Sequence, residues 1–147
     1  MDGRYTQLYV HLVWATWDRL PLITAAIEPP LFAAIAGKCH ALKCPALAIG
    51  GYRDHVHVLA QLHPTIAVAT LIKDLKGASS HLITHQVAGT DFFKWQGGYG
   101  AFTLRREDIP TVVQYIRRQK EHHAANKVRA DWELPPSVAP GSGAPGG

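Results

Sequence analysis

From Tyr5 to Thr16 apolar residues alternate with others in a stretch rich in Tyr, Val, Leu and Trp, which predicts a first, central strand ending at Asp18-Arg19 and Pro21. The period then lengthens. From Ala26 or Glu28 to about Ala41, the residues Leu31, Phe32, Ile35, Cys39 and Leu42 recur at helical spacing behind Pro29-Pro30, a pair suited to a helix start. Pro45 closes that helix. Ala46 to Tyr52 and His55 to Leu62 read as two strands joined by a tight Arg53-Asp54 turn, with Gly50-Gly51 placed for a bulge. From Ile66 to about Gln86, Val68, Leu71, Ile72, Leu75, Ser79, Leu82 and Ile83 form one stripe with Lys73, Asp74 and Lys76 between them, the signature of a second helix. Asp91 to Gly100 is an aromatic, glycine-rich connection, and Ala101 to Leu104 is a short fourth strand. Asp108 is placed to cap a last helix that takes Pro110 in its first turn, carries Val112, Val113 and Ile116, and runs to about Lys127.

The order β-α-β-β-α-β plus a C-terminal helix predicts an α+β fold of the ferredoxin-like kind, an antiparallel sheet with helices packed on it. The chain of 147 residues is one domain's worth, here residues 1–130. Residues 131–147 form a Pro/Gly-rich tail expected to be disordered, because its last part, Pro135 to Gly147, offers almost nothing to bury.

Composition narrows the picture modestly. Fifteen Lys and Arg against 11 Asp and Glu, with a pI near 9.2, lean toward anionic partners such as nucleic acid. Cys39 and Cys44 are spaced badly for a disulfide scaffold or a zinc knuckle and are expected as reduced thiols. No leader pattern and no run of apolar residues near the ~20 of a membrane span is present, so the cytoplasm is the expected compartment.

The chemistry concentrates in Asp54-His55-Val56-His57-Val58-Leu59. Strand alternation aims both imidazoles to one side, where together they can hold a metal ion. Tyr115 and Gln119, four apart on a helix, place a phenol and an amide on one face, with Gln119 the third ligand and Tyr115 the nucleophile. Mixed nitrogen and oxygen donors with open positions suit Mg²⁺, Mn²⁺ or a similar divalent ion. A phenol with an ordinary pKa of about 10 needs help to attack phosphorus, and Arg117, Arg118 and Lys120 supply positive charge nearby. Such attack leaves a phosphotyrosine link and a free hydroxyl, storing the bond energy for rejoining without ATP or any nucleotide cofactor. A lone His-x-His is most often two ordinary sheet residues, so the joint pattern carries the assignment.

Together with these blocks, Val13-Trp14-Ala15-Thr16 followed by Arg19-Leu20-Pro21, Leu75-Lys76-Gly77-Ala78-Ser79-Ser80, Trp95 to Phe102, and Tyr115 to Gln119 with His122-His123 stand in one order along Tyr5 to Lys127. In this the chain resembles the small single-tyrosine HUH transposases of the simplest bacterial insertion sequences and their REP-associated relatives. The resemblance implies that His55, His57 and Gln119 bind the divalent metal. It also implies that Tyr115 becomes joined to the 5′ phosphate of cleaved single-stranded DNA whose ends form hairpins. Lys73, Lys76, Ser79 and Ser80 are then implied as phosphate contacts beside the hairpin. Many family members are homodimers, the expectation carried here, in some of which the tyrosine helix serves the partner's histidines, whereas some REP-associated relatives act as monomers.

Two rivals stand beside a transposase: a non-catalytic ferredoxin-like module that docks nucleic acid on the same sheet, and a host-adopted relative that binds repeats and cuts poorly. His122 and His123 fit a solvated pair near a helix C-terminus, although either could assist Gln119. Trp95, Tyr99 and Phe102 suit base stacking and loop packing equally. His11, His40, His63, His81 and His85 receive no role from sequence.

Overall fold

The computed structural model describes residues 5–87, 92–124 and 132–134, with the backbone alone at 122–124. Its strands β1 (Tyr9–Ala15), β2 (Ala46–Tyr52), β3 (His55–Gln61) and β4 (Gly100–Thr103) form one antiparallel sheet in the order β2-β3-β1-β4. Helices α1 (Glu28–Ala41) and α2 (Val68–Gln86) connect them, and α3 (Ile109–Arg117) and α4 (Gln119–Ala124) follow. This is the expected ferredoxin-like plan.

Alternation divides the two central strands between two cores. Val10, Leu12 and Trp14 of β1 and Val56, Val58 and Ala60 of β3 join Leu31, Ile35, Leu71, Leu75 and Ile83 of α1 and α2 in the larger core. The intervening residues His11, His55, His57 and Leu59 therefore face the other side of the sheet. There Ala48 and Leu59 meet Val112 and Ile116 of α3 in a second, smaller core. Apolar residues alone would have made that face a plain packing surface; the histidines turn one end of it into a site.

The main chains of α3 and β2 approach very closely. A methyl group at Gly50 would lie 2.0 Å from the Ile116 carbonyl oxygen, inside any tolerable contact. Gly51 is similarly tight against the His55 carbonyl oxygen, at 2.5 Å. The glycine pair thus serves close approach rather than a bulge, which instead falls between Ala46 and Ala48. Gly50→Ala should push α3 off the sheet and destabilise the fold by about 3 kcal/mol, the upper end of overpacking penalties. Gly37→Ala, on open helix surface with nothing within 4 Å, should leave the protein as stable or up to ~1 kcal/mol more so. Urea melts of both variants decide this, and equal midpoints would refute the close-contact account.

Three boundaries depart from the sequence pattern. The first strand begins at Tyr9, because Tyr5 and Leu8 lie exposed, although the Leu8 carbonyl still accepts the Leu62 N–H at 2.7 Å. Asp108 precedes α3 without capping it: its carboxylate turns back to accept from the Arg105 backbone N–H, Nε and Nη2 at 3.1–3.3 Å. The last helix is interrupted at Arg118, whose φ and ψ of −104° and 24° separate α3 from α4.

The aromatic connection packs inward. Trp95 is buried, its Nε1 donates to the Ser79 hydroxyl at 3.0 Å, and its ring meets Trp14 and Phe93 edge-on. Cys39 and Cys44 are buried free thiols, and burial pushes Cys39 up to about 12. No described helix is long and apolar enough to cross a membrane.

Candidate active site

β3 brings His55 and His57 to one side of the sheet, α3 lays Tyr115 over them, and Gln119, across the break at Arg118, keeps the buried face that its four-residue spacing from Tyr115 gives it. All four side chains are buried. The His57 and Tyr115 rings meet edge-on at 5.9 Å. The Gln119 amide nitrogen donates to the Tyr115 carbonyl at 3.2 Å, which leaves its Oε1 facing His55 Nε2 at 3.1 Å. His55 Nδ1 in turn donates to Asp54 Oδ1 at 2.9 Å, so Nε2 is the nitrogen that it turns toward Gln119 and Glu133.

A fifth participant was not visible in the sequence. Glu133, from the segment read as disordered tail, reaches into the same cluster: its Oε1 lies 3.1 Å from His57 Nε2 and 3.6 Å from His55 Nε2, and its Oε2 accepts the Tyr115 hydroxyl. Burial works to raise the Glu133 carboxyl, but hydrogen bonding and charge from His57, the Tyr115 hydroxyl and the charge of His55 outweigh it and hold it down at about 2. Trp132 beside it packs edge-on to Tyr115 at 4.9 Å and joins the smaller core. Residues 125–131 and 135–147 lie outside the described residues, as do the side chains of His122 and His123.

The donor set fits a hard or borderline divalent cation. One atom each from His55, His57 and Glu133 lies within 4.8 Å of the others, and the Gln119 oxygen sits beside them. Two imidazole nitrogens with a carboxylate and an amide oxygen match the ligand chemistry of Mn²⁺ or Mg²⁺ better than that of a soft ion.

His11, given no role by the sequence, lies directly behind this set. Its Nε2 is 2.8 Å from His57 Nδ1, with the ring centroids 5.0 Å apart. Burial above all, with the neighbouring His57, lowers its pKa to about 3 against a smaller opposing pull from Glu133, so His11 stays neutral. A topological signal was available: β1 neighbours β3 in this fold, and alternation puts His11 on the histidine face.

The remaining sequence candidates fall into two groups. Arg117 and Arg118 are exposed beside the site; Arg118 Nε lies 3.9 Å from Glu121, and Lys120 ties α4 to α1 through Glu28 Oε1 at 2.6 Å. On α2, Lys73 is exposed and Ser80 partly so, whereas Ser79 has no surface to offer a phosphate: its hydroxyl donates to the Leu75 carbonyl and accepts from Trp95. Lys76 is half-buried, donates to the Gln96 and Gly98 carbonyls at 2.9 and 2.7 Å, and is lowered by burial to about 8. It braces the glycine-rich connection rather than projecting freely.

A candidate transposase from Deinococcus radiodurans R1 shares the fold of this chain with a TM-score of 0.67 at 21% identity, over 88% of this chain and 98% of that one. A REP-associated tyrosine transposase, solved bound to a REP hairpin, aligns with a TM-score of 0.59 at 16% identity over 87% of this chain and 76% of that one. No curated protein matches it in sequence. The family model for IS200-like transposases matches residues 4–119, a span that takes in both histidines, Tyr115 and Gln119 and stops short of Glu133. The chain belongs to the IS200-like transposase family.

Proposed function

We propose that this transposase cuts and rejoins single-stranded DNA through Tyr115, with a divalent metal, Mg²⁺ or Mn²⁺, held by His55, His57, Gln119 and Glu133. The observation that carries the reading is the convergence of these four side chains with the Tyr115 hydroxyl in one buried cluster on one chain. A bound divalent ion would supply charge neutralisation at the phosphate oxygens and orient the scissile group.

The chain's own residues account for the rest. Glu133 holds the Tyr115 hydroxyl in place and, kept ionised by its partners, remains an acceptor for the phenol's proton. As the Tyr115 oxygen bonds to phosphorus, that proton passes to Glu133. The bond from phosphorus to the 3′ oxygen breaks, and the 3′ oxygen leaves as a hydroxyl carrying the same proton. A 3′ hydroxyl attacking the phosphotyrosine reverses these transfers and reseals a strand. Exposed Arg117, Arg118, Lys73 and Lys120, with the partly exposed Ser80, supply phosphate contacts, while Lys76 and the buried Ser79 brace the connection behind them.

Hairpin-ended DNA is the proposed substrate, supported by the hairpin bound to the REP-associated neighbour. Because one chain contributes every proposed group, chemistry within a subunit is the reading here, whether or not the protein forms the proposed homodimer. Labelled single-stranded hairpin DNA incubated with the protein and Mn²⁺ or Mg²⁺ should give a species that stays retarded on a denaturing gel and disappears with EDTA. A shift under native conditions with no denaturation-resistant species would instead favour the binding-module rival.

A further inference from the structure

We infer that His11 is a positioning residue: with an ion in place of the proton that His57 Nε2 shares with Glu133, the bare His11 Nε2 accepts the Nδ1–H of His57 and so fixes the His57 tautomer that presents Nε2 to the cation. The inference rests on the metal reading above and adds to it a residue outside the ligand set. A neutral imidazole has one N–H and one lone pair, and which nitrogen carries the proton is decided by the partner of the other. For His55 the neighbouring Asp54 carboxylate makes that choice. His57 has the same need, and the atom facing its Nδ1 at 2.8 Å is His11 Nε2.

The surroundings hold His11 to this task. It is 1% exposed, and its ring is bounded by Phe102 at 5.8 Å and Trp132 at 6.0 Å, which restrict rotation. If His11 accepts at Nε2, its own proton must sit on Nδ1. That atom is buried with no hydrogen-bond partner among the described residues. His11 also lines a cavity of about 280 Å³ together with Thr103, Asp108 and Thr111, roomy and polar enough for water to satisfy a stranded donor. The opposite tautomer would put a proton on Nε2 aimed at His57, leaving the His57 proton on the very nitrogen needed for the metal.

The test measures Mn²⁺ affinity without DNA, from the free-ion EPR signal, for wild type, His11→Phe and His11→Gln. Phenylalanine fills the space without an acceptor, and should weaken Mn²⁺ binding by about 10–100-fold, the usual cost of losing an outer partner of a ligating histidine. Glutamine can present an amide oxygen to the same N–H and should recover most of that loss. His11→Phe binding Mn²⁺ within twofold of wild type, or His11→Gln no better than His11→Phe, would overturn the role while leaving the metal site standing. Wild type that binds no Mn²⁺ would overturn the metal reading itself and this inference with it. Should the variants not fold, ¹⁵N NMR of wild type loaded with diamagnetic Zn²⁺ decides: His57 protonated at Nδ1 and His11 bare at Nε2 support the assignment, and a proton on His11 Nε2 refutes it.

Discussion

Tyr115→Phe should reduce the covalent protein–DNA species to background, a loss of at least about 10³-fold in cleavage, because no other group takes over a deleted nucleophile. The fold should survive. The ring keeps its edge-on contacts with His57 and Trp132, and Glu133 keeps its hydrogen bond to His57, so the lost hydroxyl costs about 1 kcal/mol of stability. Hairpin affinity should be unchanged on a native gel. Mixing Tyr115→Phe with His57→Ala protein adds a second readout: with nucleophile and ligands in one chain, neither subunit completes the other and no adduct returns. An adduct surviving in Tyr115→Phe alone would remove this residue from the chemistry, and one restored by mixing would move the chemistry across subunits.

His57→Ala should have the other large effect. It deletes one of two nitrogen donors and leaves Glu133, Tyr115 and His11 facing a gap, so Mn²⁺ affinity should drop by more than about 100-fold, beyond what losing an outer partner costs. Cleavage should fall to background with it. Hairpin affinity should stay within about twofold of wild type, since phosphate contacts rather than the cation position the duplex. Calorimetric titration with Mn²⁺ and a native gel separate the two quantities. Unaltered ion binding in this variant would take His57 out of the ligand set, and loss of hairpin binding would show that it supports the DNA surface instead.

The strands and first two helices could be read from periodicity because each buries one continuous face, and burial is what writes a period into a sequence. His55 and His57 were legible for the same reason: alternation fixes a direction before any neighbour is known. Tyr115 and Gln119 were legible as a pair four apart, yet the helix breaks between them at Arg118 without glycine or proline to announce it. Gln119 nonetheless stays on the face that its spacing gives it, its oxygen beside His55. Glu133 was hidden for a different cause. It follows a stretch with no apolar period, and nothing local relates a carboxylate there to a strand far back in the chain; the packing of Trp132 against Tyr115 and His11 accompanies its approach. Asp108 matched the residue type of a helix cap, but Arg105 offers its carboxylate three donors at once, and a bidentate charged pair outcompetes a single backbone amide.

The glycine beneath Ile116 has a wider meaning for how such a protein can change over time. Where two main chains meet without side chains between them, the spacing of the helix from the sheet is a property of the backbone and is insulated from the drift of surrounding residues. The reach of the phenol toward the imidazoles is therefore set like a fixed ruler. In the proposed mechanism, exposed residues at the end of that helix, Arg117 and Arg118 among them, are free to be rewritten for a new DNA partner without recalibrating the distance between phenol and imidazoles.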